Sequence, residues 1–280
     1  MIYPRRDDSK FQGGFPLLDP ISAFIIGALQ GFMEWIPISS SGQITIALIE
    51  FFRVNPAEAY NLSLTLHLGT ALSASIYFKK QVSEVLGEIF GKRNFRTAGF
   101  KIFIVTAIFS LITAVPSNFI LERKLQTIGS GEAMGIIGIF LIITGILLTF
   151  KKKVIVGLRG INDFSIFDAV ILGIIQGFSI LPGISRSAIT IITLLILKFN
   201  LNEAFKISFM ASIPVSIMAG IYGLISQTSL NIALSLTSAM LFGLISMGLM
   251  LKTVERAPYH IMLIILGIML TAPYLLTQKI

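Results

Sequence analysis

The sequence contains no cysteine, two histidines and one tryptophan in 280 residues. The missing cysteine excludes disulfides, thiol nucleophiles and thiolate metal sites. Two histidines cannot build a histidine-rich metal centre. Charge is scarce too: 13% of the residues are Asp, Glu, Lys or Arg, against about a quarter in soluble domains. The period-2 alternation of a membrane β-barrel is absent. The polar residues before Pro16 lack a short apolar core ending in small residues, so no removable signal peptide of the usual form is expected.

What is present is apolar: 54% of the chain is hydrophobic. Long apolar stretches recur from Ile21 onward, several near the roughly 20 residues that a helix needs to cross a bilayer. In lipid the backbone must satisfy its own hydrogen bonds, so these stretches are expected to be helices of a multi-pass, all-α integral membrane protein. Apolar runs set against polar breaks predict segments at 17–33, 40–52, 60–78, 101–121, 133–150, 166–181, 187–199, 203–226, 231–251 and 258–277. The net charge of +8 comes from Lys and Arg in the short loops between these segments, as membrane topology requires, so no nucleic-acid partner is expected.

Two regions are copies of each other. Gly27-x-x-Gln30-Gly31-Phe32 recurs as Gly173-x-x-Gln176-Gly177-Phe178, and Pro37 with Thr45 recurs as Pro182 with Thr190. The register continues through Asn55 and Asn200, Glu58-Ala59-Tyr60 and Glu203-Ala204-Phe205, and Ser63 and Ser208. One membrane domain built of two repeats, about 17–125 and 166–277, is the expected organisation.

If each copy begins with a re-entrant hairpin, six full spans remain. One side then carries Lys79, Lys80, Lys92, Arg93, Arg96, Lys101, Lys151, Lys152, Lys153, Arg159, Lys198, Lys206, Lys252 and Arg256. The other carries Arg5, Arg6, Lys10, Arg53, Arg123, Lys124 and Lys279. The richer side is expected to be cytoplasmic, which makes the two halves an inverted-topology repeat whose broken helices meet near the middle of the bilayer.

Those broken helices hold the residues suited to chemistry. Glu34 is a carboxylate in an apolar segment, with Gln30 one turn earlier on the same helix face. It serves a cavity or simply reaches the interface from a helix end. Ser39, Ser40 and Ser41 follow Pro37 and can cap a helix, bind an anion at its N-terminus, or both. Arg186 lies between Ser185 and Ser187 within an apolar half-repeat. Its planar fork suits phosphate oxygens, and an internal ion pair with Glu34 is the alternative. Gly27/Gly31 and Gly173/Gly177 read as small-residue packing that brings the two hairpins close. His67 reads as a hydrogen-bonded structural residue, and His260 as an interfacial one. Carboxylate, guanidinium, hydroxyls and helix N-termini together fit a substrate with a phosphate head and a lipid tail.

The paired motifs resemble those of the undecaprenyl-diphosphate phosphatase family, the BacA/UppP type, over nearly the whole chain. Gln30-Gly31-Phe32-Met33-Glu34 through Pro37-Ile38-Ser39-Ser40-Ser41-Gly42 is similar to the first signature, and Pro182-Gly183-Ile184-Ser185-Arg186-Ser187-x-x-Thr190 to the second. His67-Leu68-Gly69-Thr70 and Ser208 to Pro214 are weaker matches. The resemblance implies six spans, two re-entrant hairpins and removal of the terminal phosphate from a polyprenyl diphosphate, recycling a lipid carrier at the cell membrane. It implies catalytic roles for Glu34, Ser40 and Arg186, and phosphate binding by Gln30, Ser39, Ser41, Gln43, Ser185, Ser187 and Thr190. It also implies a divalent cation, Mg²⁺ or Ca²⁺, at Glu34. Two departures stand out: Gln30 where many members have Glu, and Gln43 where many have a catalytic His. The second keeps open a polyprenyl-phosphate flippase that binds without hydrolysing. Isoleucine-rich composition, absent cysteine and these Gln variants point to an archaeal or divergent bacterial source. A homodimer stays open as the oligomeric state.

Overall fold

The computed structural model describes residues 19–91, 97–149, 157–225, 230–253 and 259–277. The basic residues Arg5, Arg6, Lys10, Lys92, Arg93, Arg96, Lys151, Lys152, Lys153, Arg256 and Lys279, which enter the charge count above, lie outside them. The described residues contain helices and no strand beyond an isolated bridge between Arg159 and Phe199.

Four helices are long and apolar enough to cross a membrane, over Ala98–Thr127, Ser130–Leu147, Leu201–Ile225 and Asn231–Met250. Long apolar helices with many outward-facing Ile, Leu and Phe side chains are those of an integral membrane protein. In chain order the helices are α1 (Pro20–Met33), α2 (Ser40–Phe52), α3 (Pro56–Tyr77), α4 (Lys79–Phe90), α5 (Ala98–Thr127), α6 (Ser130–Thr149), α7 (Ile166–Gly177), α8 (Arg186–Ile196), α9 (Leu201–Ile225), α10 (Leu230–Thr253) and α11 (Tyr259–Thr277). Residues Lys101–Val105 of α5 form a π-helical turn. The amphipathic α4 was not among the expected segments. Its apolar residues Val82, Val85 and Ile89 pack on the core while Lys79 and Lys80 stay exposed, so it lacks the apolar run that marks a span.

The members of the two short pairs, α1/α2 and α7/α8, have 14, 13, 12 and 11 residues. At about 1.5 Å per residue each falls short of the roughly 30 Å hydrocarbon core. The same local chemistry sets both copies. Asn55 caps α3 by accepting from the Glu58 amide at 2.9 Å, and Asn200 caps α9 by accepting from the Glu203 amide at 3.0 Å. Thr45 reaches the Ser41 carbonyl at 2.7 Å and Ser63 at 3.2 Å, and Thr190 reaches the Arg186 carbonyl at 2.7 Å and Ser208 at 2.6 Å. The aligned positions therefore make matching contacts.

Helices of the N-terminal part of the chain pack on helices of the C-terminal part. Helix α1 lies on α10 and α7 lies on α5, while α3 packs on α9 and α6 on α11. The glycine pairs make these crossings close: a Cβ on Gly27 would stand 2.1 Å from the Ser235 carbonyl oxygen, and one on Gly177 would stand 2.3 Å from that of Ser110. Their partners are thus α10 and α5, not the opposite hairpin, which corrects the expected role. Small residues let a helix backbone approach another backbone, and here α1 and α7 use them to seat on the long helices α10 and α5. Two large apolar clusters sit beside different basic groups. One, around Phe78, Phe103, Phe164 and Phe199, lies beside Lys101, Arg159 and Lys198; Lys101 donates to the Phe164 carbonyl at 2.8 Å. The other, around Val54, Tyr60, Leu121 and Leu125, lies beside Arg53, Arg123 and Lys124.

Candidate active site

The turns between α1 and α2 and between α7 and α8 meet. Ser39 has φ 61° and ψ 75°, a left-handed conformation that a non-glycine residue adopts only when its surroundings hold it there. It makes no side-chain cap on its own helix. Its hydroxyl instead accepts from the Gly183 amide at 3.0 Å, tying the first turn to the second. Gly183 has φ 104°, a value that needs glycine, and its carbonyl accepts from Thr144 at 2.9 Å. The cross-tie leaves the N-terminus of α2 without a side-chain cap, so its first amides can meet an anion. The second helix differs, because Ser185 caps α8 by accepting from the Ala188 amide at 3.4 Å.

Glu34, Ser40 and Arg186 converge across this junction. Ser40 donates its hydroxyl to Glu34 Oε2 at 2.6 Å. Arg186 donates to Glu34 Oε1 at 2.6 Å, with side-chain exposures of 10% for the arginine and 3% for the glutamate. Gln30 supports the carboxylate through its amide, 2.8 Å from Oε2. His67 Nε2 stands 3.6 Å from the same oxygen, while its Nδ1 lies 2.9 Å from the Ser63 carbonyl. Arg186 lies over the Trp35 ring, 5.5 Å from its centre, and the indole is fixed by donating to the Gly243 carbonyl at 2.9 Å. A hydroxyl on a carboxylate that a third group orients is the arrangement of an activated oxygen nucleophile.

Glu34, Ser40 and Arg186 line a cavity of about 390 Å³. Ser39, Ser41, Ser185 and Ser187 also line it, and the Ser41 hydroxyl has no partner among the described residues. The opposite wall is mainly apolar, with Ser110, Asn118, Ser216 and Tyr222 interspersed. Leu111, Val115 and Phe119 of α5 and Tyr222 of α9 line the cavity and are 39%, 60%, 54% and 42% exposed. The cavity therefore opens sideways between α5 and α9. A polar tie crosses this side: Tyr222 donates to Glu122, which also accepts from Asn61 at 3.3 Å, and Tyr60 donates to Asn118 at 2.5 Å.

Three of the expected phosphate-binding residues do not line the cavity. Gln30 lies behind Glu34, Thr190 bonds to Ser208, and Gln43 turns its amide to the Ile38 carbonyl at 3.4 Å. His67 does line it, so the imidazole beside the carboxylate comes from α3 rather than from position 43. Gln176, Ser110, Ser216, Asn118 and Tyr222 are cavity residues that the sequence reading missed. Only Gln176 carried a signal, its place in the repeat. No three His, Cys, Asp or Glu side chains among the described residues could jointly hold a metal ion. The cavity offers one carboxylate and several hydroxyls. That donor set fits a hard cation only if substrate oxygens complete its shell, as Mg²⁺ commonly accepts from phosphates.

A protein of Haloarcula marismortui called undecaprenyl-diphosphatase is 30% identical over 254 residues, covering 88% of this chain and 93% of its own length. Proteins of the same name in Methanococcoides burtonii and Sulfurisphaera tokodaii are 31% and 32% identical over 90% of this chain, and 97% and 94% of their own lengths are covered. Residues 23–269 match the family model described as bacitracin resistance protein BacA, and the chain belongs to that family.

Proposed function

We propose that this protein hydrolyses a polyprenyl diphosphate of the undecaprenyl type to the lipid monophosphate and inorganic phosphate. The observation that carries the reading is the Ser40–Glu34–Arg186 constellation in a cavity with one polar end and one mainly apolar, sideways-opening wall. The names of the relatives support hydrolysis over transport without bond cleavage. His67 beside Glu34 weakens the case for a flippase that rested on Gln43.

In this mechanism the diphosphate enters head first, with its tail leaving between α5 and α9. Arg186 and the uncapped amides of α2 hold the terminal phosphate oxygens. Ser40 Oγ, or a water that it holds, attacks the terminal phosphorus and Glu34 takes the proton. The bond from that phosphorus to the bridging oxygen breaks, and the lipid monophosphate leaves as an anion needing no proton; where Ser40 is the attacker, a water then displaces it from the phosphorus, with Glu34 returning the proton to Ser40 Oγ and taking the water's. Arg186 must move from Glu34 toward the phosphate, which releases the carboxylate to act as a base. A divalent cation carried in by the diphosphate would take Glu34 as its protein ligand and would neutralise phosphate charge.

We read the fold as six spans with two re-entrant hairpins in inverted repeat, in the cell membrane. The short paired helices, the matching contacts of the two copies and the packing of N-terminal on C-terminal helices support this reading. The test is phosphate release by the purified protein from lipid diphosphates of defined chain length, with and without Mg²⁺. Release from the long-chain diphosphate and little from a short soluble one is the expected result. Binding of the long-chain diphosphate with no release from any of them would overturn the proposal.

A further inference from the structure

Trp35 is the chain's single tryptophan, and it is buried beside Arg186 with 1% exposure. Helix α1 ends at Met33, and a turn begins at Glu34. Within a helix two successive side chains diverge by about 100°. In this turn both meet one cation. The Glu34 carboxylate is 2.6 Å from an Arg186 nitrogen, and the Trp35 ring centre is 5.5 Å from the guanidinium carbon.

The ring is fixed while the arginine is loosely tied. The indole N–H donates to the Gly243 carbonyl of α10 at 2.9 Å, and Phe209 of α9 packs on the ring at 5.0 Å between centroids. Besides Glu34, the Arg186 fork reaches the Ser208 carbonyl at 3.5 Å, a long contact. Phosphate capture asks Arg186 to give up its short bond to Glu34. A hydrogen bond weakens steeply as its angle changes, so the Ser208 carbonyl cannot carry a swinging fork. An aromatic face can, because its quadrupole attracts a cation across the ring rather than along one bond direction. In the resting site the guanidinium stands near the outer reach of that attraction, about 6 Å. Released from the carboxylate it can settle closer, so the ring favours the released arginine over the resting one.

We propose that Trp35 is the positioning residue on which Arg186 turns from Glu34 to the terminal phosphate, an inference that rests on the hydrolysis proposed above. Trp35 touches neither the substrate nor the reacting atoms. It acts through the arginine, by holding the plane of the guanidinium while the fork changes partner. Tryptophan suits this task, since its face attracts cations more strongly than that of Phe or Tyr and its N–H supplies the anchor.

Fluorinated tryptophans fed during expression enter at position 35 alone, because the chain has no other tryptophan. Each added fluorine weakens the ring's hold on a cation and nearly keeps its shape. From the unmodified to the tetrafluorinated ring, kcat/KM for phosphate release from the lipid diphosphate should fall stepwise by roughly 5–30-fold, the scale of a cation–π contact out of water. Binding of the same lipid diphosphate should weaken in parallel, and the melting temperature should hold. With Arg186→Gln, which keeps a planar group and loses the charge, the binding series should be flat. If Arg186→Gln does not fold, the series in the otherwise wild-type protein carries the test alone. A flat series there overturns the proposal and leaves the ring a packing residue. A series that falls as steeply with Arg186→Gln also overturns it, since the ring then does not act through the guanidinium. If the wild-type protein releases no phosphate at all, the failure lies with the proposed hydrolysis, and the binding series still decides whether the ring supports the arginine.

Discussion

Replacing Arg186 with Lys keeps the positive charge and removes the fork. In the resting site one guanidinium nitrogen is 2.6 Å from Glu34, the other faces the Ser208 carbonyl at 3.5 Å, and the plane lies over Trp35. Lysine can replace the charge but not two directed donors or the stacked plane. A charge-assisted hydrogen bond contributes about 1.5–3 kcal/mol. If one such bond to the transferring phosphate is lost, kcat/KM should fall by roughly 10–150-fold at about 1.4 kcal/mol per decade. The variant should still fold, because the Glu34 carboxylate keeps a cation nearby. Arg186→Ala should be worse on both counts, since stranding one partner of a buried pair costs about 3–5 kcal/mol. The assay is colorimetric phosphate release from the lipid diphosphate in mixed micelles, with thermal melting as the control for folding. Lysine at 186 with release within about twofold of wild type would refute the directed-donor role, because that loss is below a single hydrogen bond.

Glu34→Gln leaves a similar shape but no base, and should lower turnover by roughly 10²–10⁴-fold with little change in KM, read by the same phosphate assay. Gly31→Ala would set a methyl 2.3 Å from the Ala239 carbonyl oxygen; the overpacking should cost about 1–3 kcal/mol and lower the melting temperature. Chelation of divalent ions should depress phosphate release, and added Mg²⁺ or Ca²⁺ should restore it. Resting binding of the cation to the protein without diphosphate should be weak by calorimetry, because only one carboxylate is available in the cavity.

The sequence made the site's core readable because its residues are expensive where they stand. A Glu and an Arg inside apolar segments, each beside a Pro and a run of hydroxyls, have few uses other than meeting. The duplicated register then placed the two motifs in equivalent turns, and the structure brings them together across 152 positions of the chain. His67, Ser110, Asn118, Ser216 and Tyr222 were not readable as cavity residues. Each sits in a span where a single polar residue commonly bonds to its own helix, as Ser110 does to Thr106. Only the packing of α3, α5 and α9 reveals which of them face the cavity. The partners of the glycine pairs were hidden for the same reason: Gly-x-x-x-Gly says that something comes close, not what. Divergence between the copies also masked roles. Arg186 aligns with Ser41, and Ser185 with Ser40, so equal positions do unequal work.

The direct measurement is to place the purified protein and its Glu34→Gln variant in liposomes loaded with undecaprenyl diphosphate, and to follow both lipid and phosphate. Equal amounts of undecaprenyl monophosphate and inorganic phosphate from the wild type, with almost none from the variant, is the predicted result. Movement of intact diphosphate across the bilayer without phosphate release, or equal release by both proteins, would contradict it.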